Sequence, residues 1–173
     1  MTGRQIVTAA ISLAAMAGTA LAQTAPLTYT PDGKMVYPKD YRTWVFLSSG
    51  FDMSYVDAAA RPHLFDNVFV TREAHDAFLK TGAWPDGTVL VLEHRVPGTG
   101  AAVQVRGQFQ TGPATNVEAH VKDASKGGWA FYVFGTAGNP AAVMPKAAAC
   151  YSCHQTHGAT DTTFTQFYPT LAR

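Results

Sequence analysis

The sequence predicts an α+β domain: predominantly antiparallel β-sheet, a few short helices, and a further helix near the C-terminus. Two patterns carry that prediction. Runs of β-branched and aromatic residues recur at short spacing, each closed by a turn bearing glycine or proline, which is how consecutive antiparallel strands are written. Ahead of the C-terminal part, the segment 72–80 has helical periodicity with start and stop signals at its ends.

Taken in order, Pro31-Asp32-Gly33 is a turn. Tyr41 to Leu47 starts polar and becomes Trp-Val-Phe-Leu, which reads as a short helix or turn leading into a strand ended by Ser48-Ser49-Gly50. Leu64 to Val70 is a strand. Thr71 then serves as N-cap, Glu73 falls in the first turn, Ala74, Phe78 and Leu79 share a face, and Gly82 stops the helix. The charges of this helix read as a solvated face. Trp84-Pro85-Asp86-Gly87 is a turn, followed by a strand from Thr88 to Val96 and a second turn at Pro97-Gly98-Thr99-Gly100. Further strands are expected at Ala102 to Phe109, Asn116 to Lys122 and, after Gly127-Gly128, Trp129 to Phe134. From Ala147 the chain reads as a short helix and an irregular tail.

The first residues have the form of an export signal. Arg4 supplies a positive start, Ile6 to Met16 is a short apolar run, and Ala20-Leu21-Ala22 offers a cleavage site. A retained anchor is the weaker alternative, because the run falls short of the roughly 20 residues that span a bilayer. Residues 1–22 are therefore expected to be a secretory signal peptide, and 23–173 a single domain in the periplasm. Losing Arg4 brings the 13 basic residues level with the 12 acidic ones. With no basic run, neither nucleic acid nor an anionic membrane surface is an expected partner. Few charges and many aromatics argue against disorder.

Cys150 and Cys153 are the only cysteines. A disulfide between them would close a tiny loop and constrain little, and a structural zinc site would need a second pair. The full motif is Cys150-Tyr151-Ser152-Cys153-His154. Two intervening residues on a helical turn bring both sulfurs to one side, so each thiol can add across one haem vinyl group. The next residue, His154, then offers its imidazole to the iron. A thioredoxin-like pair would want a βαβ context, which this sheet-rich C-terminal setting lacks. The cofactor read from the residues is one haem c, attached through Cys150 and Cys153, with His154 as metal ligand.

The sixth coordination position decides between electron transfer and ligand chemistry. Past the leader the methionines are Met35, Met53 and Met144, and the other histidines are His63, His75, His94, His120 and His157. Met144 lies awkwardly close before the motif, Met35 and Met53 read as packing residues, and no histidine stands out. That favours an open position over a second protein ligand. Arg95 and Arg106 are available to haem propionates, though nothing in the spacing selects them.

Three segments besides the haem motif are distinctive: Pro38-Lys39-Asp40-Tyr41-Arg42-Thr43-Trp44-Val45, Thr81-Gly82-Ala83-Trp84-Pro85-Asp86-Gly87-Thr88, and Phe164-Thr165-Gln166-Phe167-Tyr168-Pro169. With Cys150 to Gln155 they resemble, in order and over nearly all of 23–173, the cytochrome P-460 family. The resemblance implies an antiparallel sheet packed on a few helices, often dimeric, with His154 proximal and the distal side open. Hydroxylamine-oxidising members of that family carry a strand lysine bonded to the porphyrin. The cytochrome c′-beta members lack it and bind small gases in an apolar pocket. Leu92 stands where that lysine is expected, and no lysine occurs between Lys80 and Lys122.

The resemblance therefore favours a gas-binding cytochrome, taking nitric oxide or carbon monoxide, over an enzyme. Phe51, Phe65 and Leu92 are the candidates for its distal wall, with ordinary sheet core as their plainer reading. Glu118 matches an acidic position that serves hydroxylamine oxidisers as proton acceptor. Hydroxylamine oxidation with Glu118 as base is thus the second reading. A six-coordinate electron carrier with a periplasmic redox partner is the third. A homodimer is the expected assembly.

Overall fold

A computed structural model describes residues 27–55, 62–100, 106–136 and 138–172; the expected signal peptide, 1–22, lies outside these. Five strands form one antiparallel sheet in chain order: β1 (Val45–Phe51), β2 (Phe65–Val70), β3 (Val89–Gly98), β4 (Phe109–Asp123) and β5 (Gly128–Gly135). Helix α1 (Arg72–Thr81) connects β2 to β3, and α2 (Ala149–His157) follows the sheet. This is the α+β, sheet-dominated class expected from the pattern. Among the described residues no helix is long and apolar enough to cross a membrane.

Each sheet face is covered by a different part of the chain. On one face Met35, Tyr41, Val91, Ala119, Tyr132 and Phe134 form a core beneath the N-terminal segment. Glu93 holds that segment down: its carboxylate, buried to 2% exposure, accepts from Arg42 Nε at 3.0 Å and Arg95 Nη1 at 3.0 Å. Burial alone would raise the Glu93 carboxyl, but the Arg42 hydrogen bond and its companions outweigh that and lower it. On the other face Leu47, Val70, Leu90, Trp129 and Phe131 pack against Ala74 and Phe78 of α1, Cys150 and Tyr151 of α2, and Tyr168 of the tail.

The chain departs from the expected boundaries where a bulge lets a strand absorb turn-forming residues. Ser48-Ser49-Gly50 does not end β1. A register shift between Phe46 and Ser48 places Leu47 on the same side as Ser48, and the strand runs on to Phe51. β3 likewise continues through Pro97 to Gly98, so the expected turn at 97–100 begins two residues late. Of the strand expected at 102–109, residues 102–105 lie outside the described residues, and among the described ones only Phe109 belongs to a strand. The strand expected at 116–122 is instead part of a 15-residue β4 that includes Gly112 and Pro113.

Pro113 is tolerated because pairing with β5 begins only at Val117, leaving the proline on an unpaired edge. A shift in the β3–β4 register between His94 and Val96 absorbs 112–115, with Gly112 at φ 61°. Helix α1 matches expectation closely. Thr71 is its N-cap, without a side-chain cap bond, and Gly82 closes it at φ 73° with its N–H on the Phe78 carbonyl.

Leu47, with no exposed surface, joins β1 to the helices and tail below. Leu47→Ala should lower the unfolding free energy by about 2–5 kcal/mol, read as a lower urea midpoint with an unchanged m-value.

Candidate functional site

The site is a cavity of about 520 Å³ between the sheet and α2. Cys150, Cys153 and His154 form one wall. Helical spacing puts the first and the last two of these on one face of α2, and the two cysteines are not joined in a disulfide. Phe164, Phe167 and Tyr168 of the tail close the cavity beside them.

Helix α2 is docked by a residue inside the motif. Tyr151 stacks on Phe131 of β5, with centroids 4.3 Å apart and planes 8° from parallel. Its hydroxyl accepts from Phe131 N at 3.2 Å and donates to the Met144 carbonyl at 3.2 Å. Lys146 Nζ lies over its ring, 4.5 Å from the centroid. Nothing in the spacing of the motif marks Tyr151, although an aromatic within it was a usable signal.

His154 is held in one tautomer. Its Nδ1 lies 2.8 Å from the Thr162 carbonyl, which can only accept, so Nδ1 carries the proton and Nε2 keeps its lone pair. Burial, then the neighbouring His120, push the His154 imidazole down to about 4, which keeps it neutral near pH 7. Phe164, Phe131 and His120 surround the ring, with centroids 4.5, 4.8 and 4.8 Å away. A pair of thiols beside a neutral, oriented imidazole in a largely apolar cavity is the donor set a haem needs. The volume also falls in the usual range for bound cofactors, about 300–1,000 Å³.

The opposite wall is the sheet. Cross-strand pairing sets Val68 beside Leu92 and Leu92 beside Glu118. Leu90 sits beside His120, and Asp66 beside His94. The wall is therefore not the wholly apolar one expected. Apolar Val68, Leu90 and Leu92 share it with Asp66, His94 and His120.

Those polar groups form a row. Asp66 Oδ1 is 2.7 Å from His94 Nδ1, and Glu118 lies between His94 Nε2 (3.7 Å) and His120 Nε2 (3.9 Å). Asn116 donates to Glu118 Oε1 at 2.8 Å. Burial opposes charge at both central members, yet their polar partners prevail. His94 is raised to about 9 by Asp66 and Glu118, and Glu118 is held well below the usual carboxylate range by His120 and His94. Alternation alone could place these side chains on one face, but their proximity needs the strand register.

The remaining expected residues divide. Phe51 and Leu92 line the cavity, and Met53 lies at its rim. Phe65 is not among the lining residues. Phe65 alternates with Asp66, which faces the cavity, and pairs with Phe51 at the end of β1, where Phe51 reaches the cavity margin and the two rings lie 4.9 Å apart. Of the other histidines, His94 and His120 line the cavity, whereas His63, His75 and His157 do not. Met35 is buried under the opposite face, and Met144 packs at the edge of the α2-side core. Arg95 is committed to Glu93 and the Gly112 carbonyl, and neither it nor Arg106 lines the cavity.

A family model described as Cytochrome P460 matches residues 38–165. No curated protein matches the chain.

The His94 shift sets a pH dependence. Its folded value lies above the ordinary 6.5, so its contribution is complete below that pH and is lost as pH rises toward about 9. The urea midpoint of the haem-loaded protein should therefore fall between about pH 6.5 and 9 more steeply than that of His94→Gln.

Proposed function

The chain belongs to the cytochrome P460 family, and on that ground we propose that this haem protein is an exported c-type cytochrome with an open distal site for small neutral gases such as nitric oxide. In this reading Cys150 and Cys153 form the thioether bonds, and His154 ligates the iron through Nε2. Bound haem supplies an iron that can ligate a diatomic and change valence. The chain's own residues do the rest. Thr162 orients His154, while Val68, Leu90 and Leu92 present hydrocarbon to the cavity, limiting water and disfavouring charged ligands.

The observation that carries the gas-binding reading is Leu92. It lies in the cavity wall between Val68 and Glu118, where the family resemblance expects a lysine in hydroxylamine oxidisers. Lys122, the next lysine after Lys80, is engaged by the Trp84 carbonyl and Asp161, each at 2.7 Å. A six-coordinate carrier is less well supported. His94 reaches the cavity but is held protonated between Asp66 and Glu118, and an imidazolium has no lone pair for iron.

Hydroxylamine oxidation keeps one supporting observation. Glu118, at the acidic position the family resemblance expects, is an ionised carboxylate between two histidines, but its place well below the usual carboxylate range makes it a weak proton acceptor.

The optical spectrum of the reduced, haem-loaded protein separates these readings. A high-spin ferrous spectrum with an ordinary Soret position that shifts on adding carbon monoxide or nitric oxide is expected. A strongly red-shifted Soret band would mean a modified porphyrin and favour the oxidase, and a low-spin spectrum indifferent to gas would favour the carrier. Covalent attachment has its own check: in denaturing gels stained for haem, the wild-type band should keep its stain, and Cys150→Ala/Cys153→Ala should lose it.

A further inference from the structure

The turn after α2 presents a carbonyl to His154 through an unfavourable backbone. Asp161 and Thr162 are consecutive non-glycine residues at φ 48° and 59°, in the left-handed region that a Cβ disfavours. Such a conformation persists only where its surroundings over-determine it, and two anchors do so here. On one side, Lys122 of β4 sets Nζ 2.7 Å from Asp161 Oδ2 and donates to the Trp84 carbonyl at 2.7 Å. On the other, the Trp84 indole, 2% exposed, donates to Thr163 Oγ1 at 2.9 Å, and Thr163 donates to the Thr160 carbonyl at 2.6 Å.

Gly158 completes the closure. A Cβ there would lie 2.5 Å from the Thr162 carbonyl carbon, so the end of α2 seats directly against the turn. The distinctive Trp84-Pro85-Asp86-Gly87 segment, far from the haem motif in sequence, thus reaches the residue next to the one that hydrogen-bonds His154.

We propose that Lys122, Asp161 and Trp84 are positioning residues for His154: by fixing the Asp161–Thr163 turn they hold the Thr162 carbonyl on the imidazole Nδ1 and so set how strongly Nε2 donates to iron. The proposal rests on His154 being the iron ligand. A partly exposed ion pair contributes little to stability by itself. Its worth here is geometric, because the partner of the second ring nitrogen governs ligand orientation and basicity, with effects of about 10–100-fold when it is lost.

The test uses the haem-loaded full chain and two readouts, the iron–histidine stretch of the ferrous protein by resonance Raman and the midpoint potential. Lys122→Met, Asp161→Asn and Trp84→Phe should each lower the stretching frequency. Each should also raise the potential by an amount equivalent to about tenfold in the redox equilibrium, about 59 mV for one electron. Asn tolerates positive φ well, so Asp161→Asn removes the charge while leaving the turn easy to form, and Lys122→Arg should restore wild-type values. The double variant Lys122→Met/Asp161→Asn should match the single ones, since they break one unit. Wild-type frequency and potential in Asp161→Asn and Lys122→Met would overturn the proposal, whatever their thermal stability. A wild-type protein without an iron–histidine band, unchanged by His154→Ala, would overturn the ligation reading and the proposal with it.

Discussion

The stack of Tyr151 on Phe131 is the contact on which the site depends. Helix α2 has nine residues, none of them fully buried, and a helix that short is not stable in water on its own. Its position has to come from tertiary contacts, and Tyr151 supplies the most directional of them. The ring lies flat on Phe131 while the hydroxyl ties a strand N–H to the Met144 carbonyl. Once Tyr151 is seated, Cys150, Cys153 and His154 face the cavity by helical spacing alone.

The sheet below is asked to do two different things. One face must close under the N-terminal segment, which it does with aliphatic core and with Glu93 clamped between Arg42 and Arg95. The other must leave space. Val68, Leu90 and Leu92 give that cavity its apolar ground, while a polar row brings Asp66, His94 and His120 to it, with Glu118 between the two histidines. Such a row is costly to bury unless its members satisfy one another. Here the favourable partners outweigh desolvation at both His94 and Glu118. The result is a wall able both to exclude water beside Leu92 and to hold protons beside Glu118. That mixture is why the proposed gas-binding reading and its hydroxylamine-oxidising alternative draw on neighbouring residues of one strand pair.

Much of the fold was legible along the chain. The α1 boundaries followed from Thr71 and Gly82, β2 from a partly alternating aromatic and β-branched run, β5 from an aromatic run, and α2 from the motif. The misread boundaries share a cause. At Ser48-Ser49-Gly50, Pro97-Gly98 and Gly112-Pro113, residues that stop strands locally were accommodated by bulges and an unpaired edge, features set by neighbouring strands. Phe65 went astray for a related reason: composition marks it as apolar, but only the register of β2 decides which face it takes.

By itself the sequence determined the sheet-dominated class, the haem motif and its family, because strand periodicity, turn chemistry and the Cys-Tyr-Ser-Cys-His spacing are local properties. Tertiary structure alone decided what surrounds His154. The Thr162 carbonyl on its Nδ1, the Lys122–Asp161 pair and Trp84 behind that turn, and the row from Asp66 to His120 join residues as far as 79 positions apart. Contacts of that range depend on strand register and on where the tail folds back, and no window of sequence contains them.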